Sequence, residues 1–139
     1  MSDKFFLDTN ILVYVYDDKH AKKSKIAEAL LLKAVAGAGR VSTQVIQEFI
    51  NVSLKKCKPP LEDDEVVNVV RRTLMPMCTV YPSEELFLAA IEIRRCYSLS
   101  WYDALIVAAA QASGAKVLYS EDMAHGQKYG SVTVKNPFK

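Results

Sequence analysis

Short apolar runs alternate along the chain with longer segments whose apolar residues recur at helical spacing. The runs have the length of strands and lie at 4–7, 40–42, 78–81, 116–119 and 132–134. The helical segments lie at 24–35, 43–55, 61–75, 83–97 and 99–114. Periodicity alone fits segment 11–16 to either a strand or a helix. The alternation predicts a single α/β domain over residues 1–139 with a central, mostly parallel sheet.

Residues at the segment ends predict where individual helices begin and end. Thr43 is expected to cap the helix that follows it. Pro59 and Pro60 end that helix, because a residue before proline avoids the α region. The next helix opens with acidic residues at 62–65, where the helix dipole favours them.

Composition narrows the class of protein without naming a function. Half of the 139 residues are hydrophobic, which suffices for a real core, and the net charge of +2 is too small to diagnose a nucleic-acid binder. We expect a cytoplasmic protein, because the start resembles no secretory signal and the apolar run 104–110 is too short to span a membrane. Cys57, Cys78 and Cys96 fit neither a disulfide framework nor a zinc site and are expected to be buried or half-buried thiols.

Four acidic residues lie at positions that suggest chemistry. Asp8 directly follows one apolar strand, and Asp122 comes shortly after another. Ligands of open parallel sheets bind outside the carboxyl ends of the strands. Asp103 lies in the first turn of an otherwise apolar helix, and Glu48 lies beside the apolar face of its helix.

Each acid taken alone has an ordinary structural explanation. Asp8 could cap a helix, Asp103 could favour a helix dipole, Glu48 could be solvated and Asp122 could belong to a turn. If all four lie in one crevice, their negative charges repel each other, and a bound divalent cation would neutralise that repulsion. Mg²⁺ and Mn²⁺ prefer oxygen ligands, and phosphate-ester hydrolysis is the chemistry that uses such a site.

Five segments, at 6–14, 42–49, 99–110, 118–123 and 136–138, follow one another through nearly the whole chain, and each of the first four contains one of the four acids. In these segments the chain resembles a PIN-domain ribonuclease of the VapC toxin type. The resemblance implies a three-layer α/β/α fold. It also implies a metal site made of Asp8, Glu48, Asp103 and Asp122, supported by Thr9 or Asn10 and by Thr43. Glu121 adjoins Asp122, and the family spacing favours Asp122 as the ligand, with Glu121 in an outer role.

The resemblance further implies the activity and the partners. The expected activity is Mg²⁺- or Mn²⁺-dependent cleavage of RNA, usually structured RNA such as transfer RNA, by water activated at the metal. The expected products end in a 3′-hydroxyl and a 5′-phosphate, since water rather than the 2′-hydroxyl attacks. His20 and His125 are expected at the surface rather than as a paired acid and base. The expected partners are a VapB-like antitoxin and a second copy of the chain.

Three other functions can be weighed against the sequence. A haloacid-dehalogenase-like phosphatase also uses acids and Mg²⁺, but its second acid would fall where this chain has Asn10. A phospho-receiver domain lacks support, because no Lys-Pro pair follows a late strand. A PIN fold without activity, serving to bind a partner, is the non-enzymatic alternative.

Overall fold

A computed structural model describes residues 3–57 and 59–139. The described residues leave out Met1 and Ser2, at the start of the chain, and Lys58, between the expected 43–55 helix and Pro59. Within the described ranges, no helix is both long enough and apolar enough to cross a membrane.

Six strands form one sheet in the part of the chain that the structure describes, in the order β3-β2-β1-β4-β6-β5. The strands are β1 (Phe5–Leu7), β2 (Gly39–Ser42), β3 (Cys78–Val80), β4 (Val117–Tyr119), β5 (Lys128–Tyr129) and β6 (Val132–Lys135). All neighbours pair in parallel except β5 and β6. The chain builds outward from β1 to β2 and β3 on one side, and β4 lies on its other side. The strand order therefore reverses between β1 and β4, which is where such sheets bind ligands.

Helices cover both faces of the sheet and give the expected three-layer α/β/α arrangement. They are α1 (Thr9–Val15), α2 (Ala21–Lys33), α3 (Thr43–Lys55), α4 (Asp63–Val69), α5 (Met75–Met77), α6 (Glu84–Tyr97) and α7 (Trp101–Ala112). Residues Ala34–Ala38 and Val70–Leu74 extend α2 and α4 by a wide, π-type turn each, and the first is kinked at Gly37, whose φ is 131°. In α7 every residue from 104 to 110 is buried, as expected for a helix that is apolar all round.

The structure settles one open assignment and corrects others. Residues 11–15 are helical as part of α1, which Asp8 caps at its start and Tyr16 caps at its end. Thr43 was predicted as a cap, but Ser42 caps α3, accepting from the Val45 amide at 3.4 Å, so Thr43 is already helical. Strand β5 was missed because two residues are too short to show a period. Cys96 is exposed, whereas Cys57 and Cys78 are buried as expected.

Gly39 begins β2 where a side chain would have no room. A Cβ there would lie 2.2 Å from the Ala34 Cβ and 2.7 Å from the Ala34 Cα. We therefore expect Gly39→Ala to lower the free energy of unfolding by about 2 kcal/mol, the usual cost of overpacking. Urea denaturation measures the loss. Adding Ala34→Gly removes one of the two clashing atoms and should recover part of the stability, and a double variant no more stable than Gly39→Ala would refute this explanation.

Candidate active site

A pocket of about 550 Å³ opens at the carboxyl ends of β1 and β4. Its wall contains the four predicted acids, which come from four separate segments of the chain: Asp8, Glu48, Asp103 and Asp122. Asp8 follows β1 directly, and Asp122 lies three residues beyond β4. The pocket thus lies at the point where the strand order reverses.

Asp8 is the most deeply buried of the four acids, with 8% of its surface exposed. The Thr9 amide donates to its Oδ1 at 2.8 Å, and the Ser120 hydroxyl donates to its Oδ2 at 2.8 Å. Burial raises the pKa of Asp8 to about 6, and the charges of Glu48 and Asp122 add to the rise while the two hydrogen bonds oppose it. Asp8 is therefore a carboxylate that gains from a positive charge beside it.

Residues of α1 hold two of the other acids. The Thr9 hydroxyl donates to Glu48 Oε1 at 2.7 Å. The Asn10 amide nitrogen donates to Asp122 Oδ2 at 2.9 Å, and its Oδ1 accepts from the main-chain amide of Glu121 at 3.3 Å. The expected supporting positions Thr9 and Asn10 thus both contact acids, and Asn10 links α1 to the segment after β4.

Glu121 also lines the pocket, but both of its oxygens have partners. The Tyr14 hydroxyl donates to Oε1 at 2.6 Å, and the Lys23 ammonium forms an ion pair with Oε2. Burial raises the pKa of Glu121, but the bonds from Lys23 and Tyr14 outweigh burial and hold the pKa below its ordinary value. Lys23 also lies over the rings of Tyr14 and Phe138, at 5.0 and 5.5 Å from their centres.

Asp103 reaches the pocket from the first turn of α7. Ser100 caps this helix and accepts from the Asp103 amide at 3.3 Å, which fixes the turn that carries the carboxyl group. Thr43, the other expected supporting residue, does not line the acidic pocket. It lies in the wall of a neighbouring groove.

Three contacts of the site were not anticipated from the sequence, and they involve Ser120, Tyr14 and Lys23. Ser120 directly follows β4 and is fully buried, so the same strand-end argument that selected Asp8 could have found it. Tyr14 and Lys23 are separated from Glu121 by about a hundred residues, and no local pattern indicates that they meet.

The pocket carries a strong excess of negative charge. Six of its lining residues are acidic, since Asp17 and Glu121 join the four predicted acids, and no lysine or arginine of the described residues lines it. Neither His20 nor His125 is buried, which confirms their expected surface positions, although His20 lies at the pocket edge. A phosphate group would be repelled here unless a cation came with it.

The donor set suits a hard cation, but the ligands are not fully assembled. All of the candidate donors are carboxylate oxygens, the type that Mg²⁺ and Mn²⁺ prefer. Yet within residues 3–57 and 59–139 no three His, Cys, Asp or Glu side chains gather as a ready metal cluster. The pocket therefore fits a cation that its carboxylates hold in part, with the remaining ligands coming from outside the protein.

Removing the Ser120 hydroxyl tests how much it contributes to holding the Asp8 carboxylate. We expect Ser120→Ala to lower the free energy of unfolding by about 2 kcal/mol at pH 8, where Asp8 is ionised, because hydrogen bonds to charged groups are the stronger ones. The loss should be smaller at pH 4.5, where the folded protein keeps Asp8 protonated. Urea denaturation in EDTA at both pH values measures the two losses.

Ser53→Ala is the matched control for this pH dependence. Ser53 is also fully buried, but its hydroxyl donates to the uncharged Ile50 carbonyl at 3.3 Å. Its replacement should cost the same at both pH values. A Ser120→Ala loss that likewise ignored pH would show that the hydroxyl does not act through the Asp8 charge.

Comparison with known families identifies the fold. The PIN domain model matches residues 5–129, which is most of the chain. The chain therefore belongs to the PIN domain family. No curated protein sequence matches it.

Solved structures share this fold at low sequence identity. A toxin–antitoxin complex from Klebsiella pneumoniae is similar with a TM-score of 0.68 and 21% identity, over 96% of this chain and 98% of that one. The Sarcin-Ricin loop cleaving toxin VapC20 of Mycobacterium tuberculosis gives 0.63 and 17%, over 86% and 90%. FitAcB from Neisseria gonorrhoeae gives 0.65 and 16%, over 96% and 98%.

Proposed function

We propose that this protein is a metal-dependent endoribonuclease, a toxin of the VapC type that hydrolyses phosphodiester bonds of structured RNA such as transfer RNA. The observation that carries the proposal is the meeting of Asp8, Glu48, Asp103 and Asp122 in one pocket. Membership of the PIN family supports it, as does the likeness to a toxin described as cleaving the Sarcin-Ricin loop. The phosphatase alternative is weaker, because Asn10 holds Asp122 instead of supplying a second acid.

The cation that we propose is Mg²⁺ or Mn²⁺, held by Asp8 together with Asp103, Asp122 and Glu48. When bound, such an ion lowers the pKa of water and stabilises charge on the phosphoryl oxygens. Because the carboxylates are not gathered as a complete ligand set, water and a phosphate oxygen of the RNA would supply the rest, which is usual for Mg²⁺. The ion would also relieve the repulsion between the RNA and the acidic pocket.

The chain's own residues orient the acids for this reaction. Ser120 and the Thr9 amide fix the Asp8 carboxylate, and Asn10 fixes Asp122. Thr9 engages Oε1 of Glu48, so Oε2 is the oxygen that we assign to take a proton from the attacking water. Attack by water leaves a 3′-hydroxyl and a 5′-phosphate.

We further propose a VapB-like antitoxin as inhibitor and a homodimer as the working form. The Klebsiella pneumoniae structure is of a toxin–antitoxin complex, which supports a protein partner for this fold. Helix α6 exposes Leu88 and Ile91 to solvent, and apolar side chains of this kind suit burial against a partner.

The test is cleavage of total cellular RNA by the purified, partner-free protein in Mg²⁺, Mn²⁺ or EDTA, with mapping of the new ends. We expect cuts with either metal, none in EDTA, and none with Asp103→Asn. Cuts in EDTA would refute metal dependence, and a 2′,3′-cyclic phosphate end would refute attack by water. A folded protein that cuts no RNA would favour the inactive binding module.

A further inference from the structure

A second, more apolar cavity of about 400 Å³ adjoins the acidic pocket. We call it the side groove. It lies between α3, α6 and α7, and its wall includes Leu86, Phe87 and Leu105. Gln44, Glu48 and Tyr102 line both cavities, so the side groove is continuous with the proposed active site.

Gln44 lines the junction of the two cavities and carries an unpaired acceptor. Its Oε1 is buried and has no hydrogen-bond partner among the described residues. Its Nε2 donates to the main-chain carbonyl of Tyr102 at 3.4 Å. That contact favours this orientation of the amide, because a flipped amide would set two oxygens against each other. A buried acceptor without a partner is costly and needs an explanation.

Two aromatic rings flank the side groove, one from each of two helices. Phe87 of α6 and Tyr102 of α7 both line it, and 41% and 64% of their surfaces are exposed. Exposed aromatic faces beside a nuclease site are the surfaces on which unpaired RNA bases stack.

We infer that the side groove binds an unpaired nucleobase of the RNA next to the scissile phosphate, with the Gln44 side chain turning toward the groove so that an exocyclic amino group of the base donates to its Oε1. The inference rests on the proposed nuclease function, because it takes RNA as the substrate. The groove offers the base what recognition of single-stranded RNA requires: a stacking surface, a free hydrogen-bonding atom and direct continuity with the cleavage site.

The polar atoms around the groove also indicate which bases fit. The Tyr102 carbonyl and the Glu48 carboxylate are acceptors, like Gln44 Oε1. The amino groups of adenine, cytosine and guanine can donate to such a set. Uracil has no amino group, and its single donor, the N3–H, lies between two carbonyl oxygens that would face other acceptors. The structure therefore assigns the side groove to an amino-bearing base and against uracil.

The experiment is equilibrium binding of fluorescein-labelled RNA hexamers of A, C or U in Mg²⁺ to the full chain carrying Asp103→Asn. This variant is expected to cut no RNA, and Mg²⁺ offsets the negative charge of the acidic pocket. We expect A and C hexamers to bind at least about fivefold more tightly than the U hexamer. Gln44→Leu should remove that difference, mainly by weakening A and C roughly tenfold.

Two variants separate base recognition from general effects on the protein. Gln127→Leu is the matched control, since this exposed amide also donates to a main-chain carbonyl, at 3.1 Å, but lies outside both cavities. It should leave all affinities unchanged. Phe87→Ala should weaken all three hexamers alike, because stacking is tolerant of base identity. Thermal melting confirms that each variant is folded.

The outcomes of binding and cleavage distinguish this inference from the proposed function. Equal affinity for the three hexamers, a preference that survives Gln44→Leu, or no saturable binding would each overturn the nucleobase assignment. The alternative occupant of the side groove would then be an apolar side chain of a protein partner. A Gln44-dependent preference in a protein that cuts no RNA would instead support the base site and refute the nuclease.

Discussion

Replacing Asp8 with asparagine is expected to abolish RNA cleavage and, in the metal-free protein, to make the fold more stable. We expect the loss of activity to be at least about a hundredfold, because the carboxylate is the buried anchor of the proposed cation and such ions contribute several kcal/mol to transition-state stabilisation. The two effects have opposite signs, so the loss of activity cannot come from unfolding.

The gain in stability follows from the raised pKa of Asp8. In the unfolded chain the carboxyl group has its ordinary pKa of 3.8, whereas in the folded protein the pKa is about 6. Between these values the folded state binds more protons, so stability falls as the pH rises through this window and stays reduced above it. The full change corresponds to about 3 kcal/mol, which sets the upper limit of what Asp8→Asn can recover.

The asparagine side chain can keep the local hydrogen bonds. Its Oδ1 can accept from the Thr9 amide, and its Nδ2 can donate to the Ser120 oxygen. We therefore expect no packing loss to offset the removal of the charge. At pH 8 in EDTA the melting temperature should rise by several degrees, and near pH 4 it should match the wild type.

Thermal melting of both proteins from pH 4 to 8 measures this difference. Asp18→Asn, at an exposed acid of the segment after α1, should leave the pH profile unchanged. A melting temperature for Asp8→Asn that stayed below the wild type at every pH would show that the buried carboxylate stabilises the fold. Undiminished cleavage by Asp8→Asn would show that Asp8 does not belong to the proposed active site.

The strand-end acids of the site were predictable because a strand end is a local feature. Asp8 follows an apolar run directly, and a parallel sheet brings such ends to one edge. Asp103 and Glu48 were harder to single out, since a helical acid has an ordinary surface role. Their positions beside apolar residues made them candidates, and the family resemblance then assigned them to a metal site. The sheet and the helices could be predicted because the spacing of apolar residues in each segment repeats often enough to indicate a strand or a helix.

The side-chain contacts between distant parts of the site could not be predicted from the sequence in the same way. Lys23 meets Glu121 across 98 positions of sequence, and only the packing of α2 beside the end of β4 brings them together. The Gln44 amide gives no sign in the sequence that one of its atoms is buried without a partner. Such features depend on side-chain geometry at a tertiary contact, for which periodicity carries no information.

The second large effect concerns the adjacent acids Glu121 and Asp122. We expect Asp122→Asn to reduce cleavage by at least about a hundredfold and Glu121→Gln to change it by less than about threefold. The family spacing favours Asp122, and the structure supplies a physical reason. Both oxygens of Glu121 have partners, whereas the contact from Asn10 to Asp122 engages Oδ2 only.

The charge of Asp122 also acts on the anchor of the site. It is one of the groups that raise the pKa of Asp8, whereas Glu121 is not among them. A cation beside Asp8 would therefore be attracted by Asp122 but would have to compete with Lys23 for Glu121. The measurement is the initial rate of cleavage of one mapped RNA at saturating Mg²⁺ for each variant.

Lys23→Met separates a role in the reaction from a role in placing Glu121. This variant removes the ammonium group but keeps an unbranched side chain of similar length. We expect it to cut RNA at nearly the wild-type rate, because we assign neither Lys23 nor Glu121 a role in the proposed reaction. Equal and large losses in Lys23→Met and Glu121→Gln would contradict this, since they would place the ion pair within the site. A large loss in Glu121→Gln alone, with Asp122→Asn active, would reverse the assignment of the two acids.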